Sequence, residues 1–314
     1  MQYFKKTNIN FTGYRKQFAM FSIILTVVGL LAVFILKPEL GIDFKGGAEI
    51  GLAFEKDVDM GKVRSIVSDL NLGGNEIKSF GKANQILIRV ADVNTGPDKI
   101  QEALNKSMSE NPYTVLKIDK IGAKISNELF VEAIWAVLLA IVAILIYIAF
   151  RFEFDFGVGA VIALVHDVII TFSIIVITHH LGILNLELDQ ALLAGLLTVI
   201  GYSINDTVII FDRIRENIEK HKGMEFVKMV NMSINETLSR TVNTTATTTS
   251  VLLLLLFFGG PVLQGFAFTM FIGIVFGTYS SIYIASGYVI WNHIRTHKKT
   301  DETHGKKTYS TAKA

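Results

Sequence analysis

The chain has 314 residues, of which 51% are hydrophobic and 18% charged, against about a quarter charged in a typical soluble domain. Its net charge is only +2 and it contains no cysteine. That balance gives no reason to expect a nucleic-acid partner, and it excludes a disulfide framework or a thiolate metal site.

Residues 1–16 form a basic N-terminal tail with Lys5, Lys6, Arg15 and Lys16. The apolar run 17–36 is long enough to cross a bilayer, which takes roughly 20 residues. It ends in Ile35-Leu36-Lys37-Pro38 rather than a small-residue cleavage site, so it is predicted as a retained first span.

Residues 37–128 are predicted as a folded domain outside the membrane. The pattern gives a strand at 48–55 and a helix at 59–70, capped by Asp59, with Val63, Ile66, Val67 and Leu70 at helical spacing. Strands follow at 76–80 and 85–90 around a turn at 81–84. A helix at 97–108 starts near Pro97, and a last strand covers 113–118. The order β-α-β-β-α-β is that of a split-βαβ, ferredoxin-like α+β domain.

Five further apolar runs follow, at 129–150, 157–181, 190–211, 241–258 and 262–291, giving an α-helical membrane protein with six spans. The fifth has a polar first half, Asn243-Thr-Thr-Ala-Thr-Thr-Thr-Ser250, and a short re-entrant segment is its alternative. Lysine and arginine in short loops mark the cytoplasmic side. They fall in the N-terminal tail, at Arg151, in the predicted loop 212–240 and in the tail 292–314, and are missing from 182–189 and 259–261. Both termini are therefore predicted to be cytoplasmic.

A carboxylate at the centre of a span costs about 2.5–3.5 kcal/mol on insertion scales and is a functional candidate by default. The third span carries His166-Asp167 and the fourth Asn205-Asp206. Thr198, Tyr202, Asn205 and Asp206 fall on one side of a helix by the i, i+3, i+4 rule, and Arg240, Thr241, Thr244, Thr245 and Thr248 do so on the fifth span. Two such stripes could meet. Burial disfavours an ionised carboxylate and a guanidinium favours it, so a group alternating between them would take up a proton on one side and release it on the other. Each proton crossing supplies about 2.3 kcal/mol per 100 mV. The alternatives are a structural role for Asp206, a snorkelling interfacial Arg240, and for Asp167 either a relay or an interhelical hydrogen bond. In the sixth span Gly273 and Gly277 form a close-packing GxxxG face.

Several segments together resemble the SecF branch of the SecD/SecF family of protein-export membrane subunits, itself similar to the RND superfamily. They are Gly41-Ile-Asp-Phe-Lys-Gly-Gly47, His166-Asp167, Ile200-Gly-Tyr-Ser-Ile-Asn-Asp-Thr-Val208, Phe211-Asp-Arg-Ile-Arg-Glu-Asn217, Ser233-Ile-Asn-Glu-Thr-Leu-Ser-Arg-Thr241, Phe258-Gly-Gly-Pro261 and Gly277-Thr-Tyr-Ser-Ser-Ile-Tyr283. In the segment leading into the second span, Ala123 stands where the family usually has proline. The resemblance implies a non-enzymatic subunit of the bacterial inner membrane, without cofactor or metal. It implies a SecD partner, the SecYEG channel, YajC and YidC as further partners, and use of the proton gradient to draw an unfolded polypeptide outward after the SecA motor has pushed. Asp206 and Arg240 align with the family's proton-path residues, and Gly41, Asp43, Gly46 and Gly47 with its signature. That glycine-rich signature lacks a Walker lysine-serine ending and reads as a tight junction between span and domain. Competing expectations are an RND-type transporter half for lipid or small molecules and a passive translocon scaffold. A diaspartyl protease is disfavoured, because Asn205 rather than glycine precedes Asp206.

Overall fold

The computed structural model describes residues 7–73, 76–80 and 82–296. Lys5 and Lys6, Gly81 of the predicted turn and the tail beyond residue 296 lie outside the described residues. A 3-10 turn (Thr12–Tyr14) opens into α1 (Arg15–Leu36). The domain follows: α2 (Ile42–Lys45), β1 (Gly47–Phe54), α3 (Met60–Asp69), β2 (Glu76–Phe80), β3 (Lys82–Val90), α4 (Gly96–Ser107) and β4 (Tyr113–Ile121). Then come α5 (Ala123–Arg151), α6 (Phe154–His180), α7 (Gln190–Lys220), α8 (Phe226–Phe258) and α9 (Pro261–Ser280). A π-turn (Ser281–Ala285) carries α9 on, helical to Thr296. Among the described residues, six helices are long and apolar enough to span a membrane, and the protein is a multi-pass membrane protein.

Asp59 caps α3 by accepting from the Gly61 and Lys62 amides at 2.9 and 3.3 Å, which satisfies two of the four free N–H groups at a helix start. The sheet is antiparallel in the order β2-β3-β1-β4. Period-two alternation turns Ile50, Leu52, Ile86 and Ile88 onto one face, where Val63 and Val67 of α3 and Ile100 and Leu104 of α4 close the core. β3 starts three residues before the apolar alternation does, because its pairing with β2 continues to Phe80 opposite Lys82. The helix-free face carries Glu49, Glu76, Lys78 and Arg89.

Residues 212–240, predicted as a loop, are mostly helix: α7 runs on to Lys220 and α8 begins at Phe226. The charges there stand at helical spacing. Glu216 pairs with Arg213 (i, i+3) and with Lys220 (i, i+4), both at 2.5 Å. The polar run 243–250 is helical too. Its hydroxyls bond carbonyls of the preceding turn, as in Thr247 to Asn243 at 2.8 Å, Thr248 to Thr244 at 2.9 Å and Thr249 to Thr245 at 2.7 Å, so they bring few unmet donors into an apolar setting.

α7 and α9 approach closely where glycines allow it. A Cβ at Gly273 would collide with the Val199 side chain, and one at Gly277 would come within 3.3 Å of the Ser203 Cβ. Gly273→Ala is therefore expected to lower stability by about 1–3 kcal/mol through overpacking. Thermal unfolding in detergent measures it, and Val199→Ala in the same chain should return most of the loss.

Candidate functional site

A polar layer crosses the interior where α6, α7 and α9 meet. Asp167 is fully buried. Its Oδ2 accepts from Ser203 Oγ of α7 at 2.5 Å and from Ser280 Oγ of α9 at 2.6 Å, and its Oδ1 lies 3.0 Å from His166 Nδ1. One turn beyond Ser203, Thr207 Oγ1 meets Ser281 Oγ at 2.8 Å. Asp167 thus joins three helices. The other ring nitrogen of His166, Nε2, is buried with no hydrogen-bond partner among the described residues.

Asp206 sits in a second pocket of the same layer, buried to 1% exposure. Thr278 Oγ1 of α9 donates to its Oδ2 at 2.9 Å, and Thr245 Oγ1 of α8 lies 2.9 Å from the Thr278 hydroxyl. The Oδ1 atom has no partner among the described residues. A hydroxyl both donates and accepts, so the Thr245–Thr278 pair can serve an ionised or a protonated carboxyl by rotating. Next to Thr278 on the chain, Tyr279 belongs to another contact: its OH meets Ser22 Oγ at 2.7 Å and the Phe18 carbonyl at 2.9 Å, fastening α1.

The two predicted stripes do not meet as expected. Neighbours on a helix differ by about 100° in direction, and with Asp206 turned inward Asn205 is exposed, as is Thr198. Arg240 is exposed and makes no ion pair with Asp206 among the described residues. Among the described residues, the stripe-to-stripe hydroxyl contact is Tyr202 with Thr248, at 3.3 Å. The residues that do hold the carboxylates are Thr278, Ser203 and Ser280.

A second cluster ties the domain to the bundle. Glu187, in the link between α6 and α7, is 7% exposed and is bonded by Arg89 of β3 and by Lys78 of β2, the latter at 3.0 Å. Arg89 also grips Glu49 of β1 at 2.6 Å and Glu76 at 3.0 Å. Lys78 reaches Glu39 at 2.5 Å, and Lys117 of β4 reaches Glu49 at 2.6 Å. Glu39, Glu76 and Glu187 converge closely enough to be considered as metal ligands, but all three close on Lys78 or Arg89, which fill that role with positive charge. Beside them the backbone joins directly: Leu188 donates to the Glu39 carbonyl at 2.7 Å and Gly41 to the Leu188 carbonyl at 2.9 Å.

Burial pushes the Glu187 carboxyl up, but Arg89 and Lys78 together outweigh it and hold the group below its ordinary value of 4.5. A depressed carboxylate contributes stability above its unfolded pKa and loses it as pH falls through the folded one. Protection of the Leu188 amide from hydrogen exchange is therefore expected to hold from neutral pH down to about 5 and to fall below about pH 4.

Comparison with known proteins places this geometry. The family profile for "Protein export membrane protein SecD/SecF, C-terminal" matches residues 100–295. The chain belongs to the SecD/SecF family. It is 41% identical over 290 residues to the protein translocase subunit SecF of Calditerrivibrio nitroreducens, covering 90% of this chain and 93% of that one. To the SecF subunit of Pseudomonas aeruginosa it is 38% identical, over 90% and 91% of the two chains. The crystal structure of SecDF, a translocon-associated membrane protein from Thermus thermophilus, superposes with a TM-score of 0.80 at 36% identity over 91% of this chain. This chain spans only 39% of that longer one.

The family places this chain in protein export. The glycine-rich segment 41–47 occupies the junction between domain and bundle. The Asp43 carboxylate accepts from the Gln190 amide at 2.8 Å and so caps α7 from another segment. Gly46 and Gly47 have φ of 74° and 121°, the region where glycine is tolerated best. A Cβ on Gly47 would come within 2.7 Å of the Val90 carbonyl oxygen, and one on Gly41 within 3.0 Å of the Asp189 Cβ.

Proposed function

We propose that this chain is the SecF-type half of a proton-driven export motor. With a SecD-type partner it uses the proton motive force to promote the late steps of translocation through SecYEG, drawing out an unfolded polypeptide, with YajC and YidC as accessory partners. The half is RND-like. Both termini lie in the cytoplasm, and the domain, of the ferredoxin-like kind, lies outside the inner membrane. The sheet order and the two helices on one face support that assignment of the domain.

The observation that carries the coupling is Asp206: a carboxylate within a span, buried, held by one threonine hydroxyl, its second oxygen buried without a hydrogen-bond partner among the described residues. Beside it, Thr198, Asn205, Arg240, Thr247 and Ser250 are exposed on α7 and α8. Polar groups in a membrane face protein or water, so this side fits a SecD-type helix that would bring Arg240 and Asn205 into the proton path with Asp167 and His166.

Export into inverted membrane vesicles, with the chain present or depleted and with or without an ionophore, tests the reading. The part of export that depends on this chain should vanish when the gradient is collapsed. If that part persists undiminished, the chain is a passive scaffold and the motor reading is wrong.

A further inference from the structure

A groove of about 930 Å³ opens on another side of the bundle, between α1, α6 and the helix that follows the π-turn. Its lining includes no residue of α7 or α8, so it is separate from the Asp206 pocket and from the exposed polar side. The π-turn shapes it. Inserted residues widen a helix locally, the Ser286 hydroxyl reaches back to the Ser281 carbonyl at 3.0 Å, and Tyr283 stacks on Phe18 of α1 with ring centres 4.0 Å apart. Ile23, Val27, Ile162 and Val165 make the walls apolar.

The two ends differ in chemistry. Arg15 and Lys16 line one end together with Trp291, and the Arg295 guanidinium lies 5.2 Å over the Trp291 ring. Three cations and an interfacial aromatic therefore collect at one mouth. From Arg15 to Val27 the groove follows α1 for roughly 18 Å at 1.5 Å per residue, about the depth of one leaflet of a ~30 Å hydrocarbon core.

We propose that this groove is a binding site for one anionic glycerophospholipid of the leaflet remote from the domain. Its phosphate sits on Arg15 and Lys16 with Arg295 at the rim, and an acyl chain lies along α1 against Ile162 and Val165. Basic pockets between spans on the cytoplasmic side suit such headgroups, and the orientation proposed above puts this mouth there. The length, the apolar walls and the charged end match the three parts of that molecule. His166 also lines the groove.

The test is native mass spectrometry of the full chain in mild detergent with dioleoylphosphatidylglycerol or dioleoylphosphatidylethanolamine added. Wild type should retain the anionic lipid about thirtyfold more strongly, since Arg15 and Lys16 near the surface are worth about one kcal/mol each. Arg15→Gln with Lys16→Gln should bring the two lipids to parity. Gly287 lines the groove and a Cβ there meets nothing within 4 Å, so Gly287→Leu should fill the space and remove both lipids. Ile162→Trp fills it from the opposite wall should Gly287→Leu fold poorly, with thermal unfolding as the check. Equal retention of the two lipids by wild type overturns the proposal. So does anionic-lipid binding unchanged in the charge variant or in a folded filling variant, which would leave the groove to water or a partner helix.

Discussion

Asp206→Asn is expected to remove the gradient-dependent part of export while leaving the chain folded in the membrane. Asparagine keeps the shape and can still accept from the Thr278 hydroxyl, the one hydrogen bond that Asp206 makes among the described residues. It cannot bind and release a proton. A motor that loses one coupled charge at about 100 mV forfeits about 2.3 kcal/mol per cycle, close to a fiftyfold bias. Assayed in inverted vesicles, the ionophore-sensitive fraction should fall to background, while thermal unfolding shifts little. Thr278→Val should give an intermediate defect, because the carboxyl stays but its ionised form loses a donor. Full ionophore-sensitive export by Asp206→Asn would end the coupling account.

Arg89→Met is expected to produce the largest loss of stability. Glu49 and Glu187 are 2% and 7% exposed and share this guanidinium. Removing one partner of a buried ion pair costs about 3–5 kcal/mol, because the other charge stays buried. The effect here should be near 3 kcal/mol, since Lys78 still serves Glu187 and Lys117 still serves Glu49. Thermal unfolding measures the loss, and limited proteolysis between residues 182 and 189 reports whether the domain has come off the bundle. Glu187→Gln together with Arg89→Met should be more stable than Arg89→Met alone, because one of the two buried carboxylates that shared the guanidinium is then neutral. A double variant no better than the single one would mean that Glu187 is not held by this ion pair.

The sequence shows these two sites unequally. Asp167 and Asp206 stand out because a carboxylate inside an apolar run has few structural excuses. Their partners do not. Ser203, Ser280 and Thr278 are ordinary residues for a membrane helix, where a hydroxyl often bonds the carbonyl one turn back; Thr198, bonded to the Ala194 carbonyl at 2.7 Å, does just that. Helical spacing brought Asn205 and Asp206 to one side, yet the 100° between neighbours leaves Asn205 exposed while Asp206 is buried.

The domain's strands and helices are legible because Asp59 and Pro97 punctuate alternating apolar runs. The ion cluster beneath it is not, because Glu187 and Arg89 lie 98 positions apart. The loop that carries Glu187 shows in sequence only its lack of lysine and arginine. The groove beside α1 depends on a π-turn for which the apolar periodicity gave no sign.

The Asp43 cap has a mechanical consequence. One end of α7 is fixed to the root of the domain through the Gln190 amide, and sixteen positions along the same rod, roughly 24 Å away, sits Asp206. A helix is stiff along its axis, so under the proposed coupling a sub-ångström stroke at Asp206 would reach the foot of the domain without needing a hinge in between. The rod would work in both directions: in the proposed motor, tension on the domain from a captive polypeptide would arrive back at the carboxylate as load.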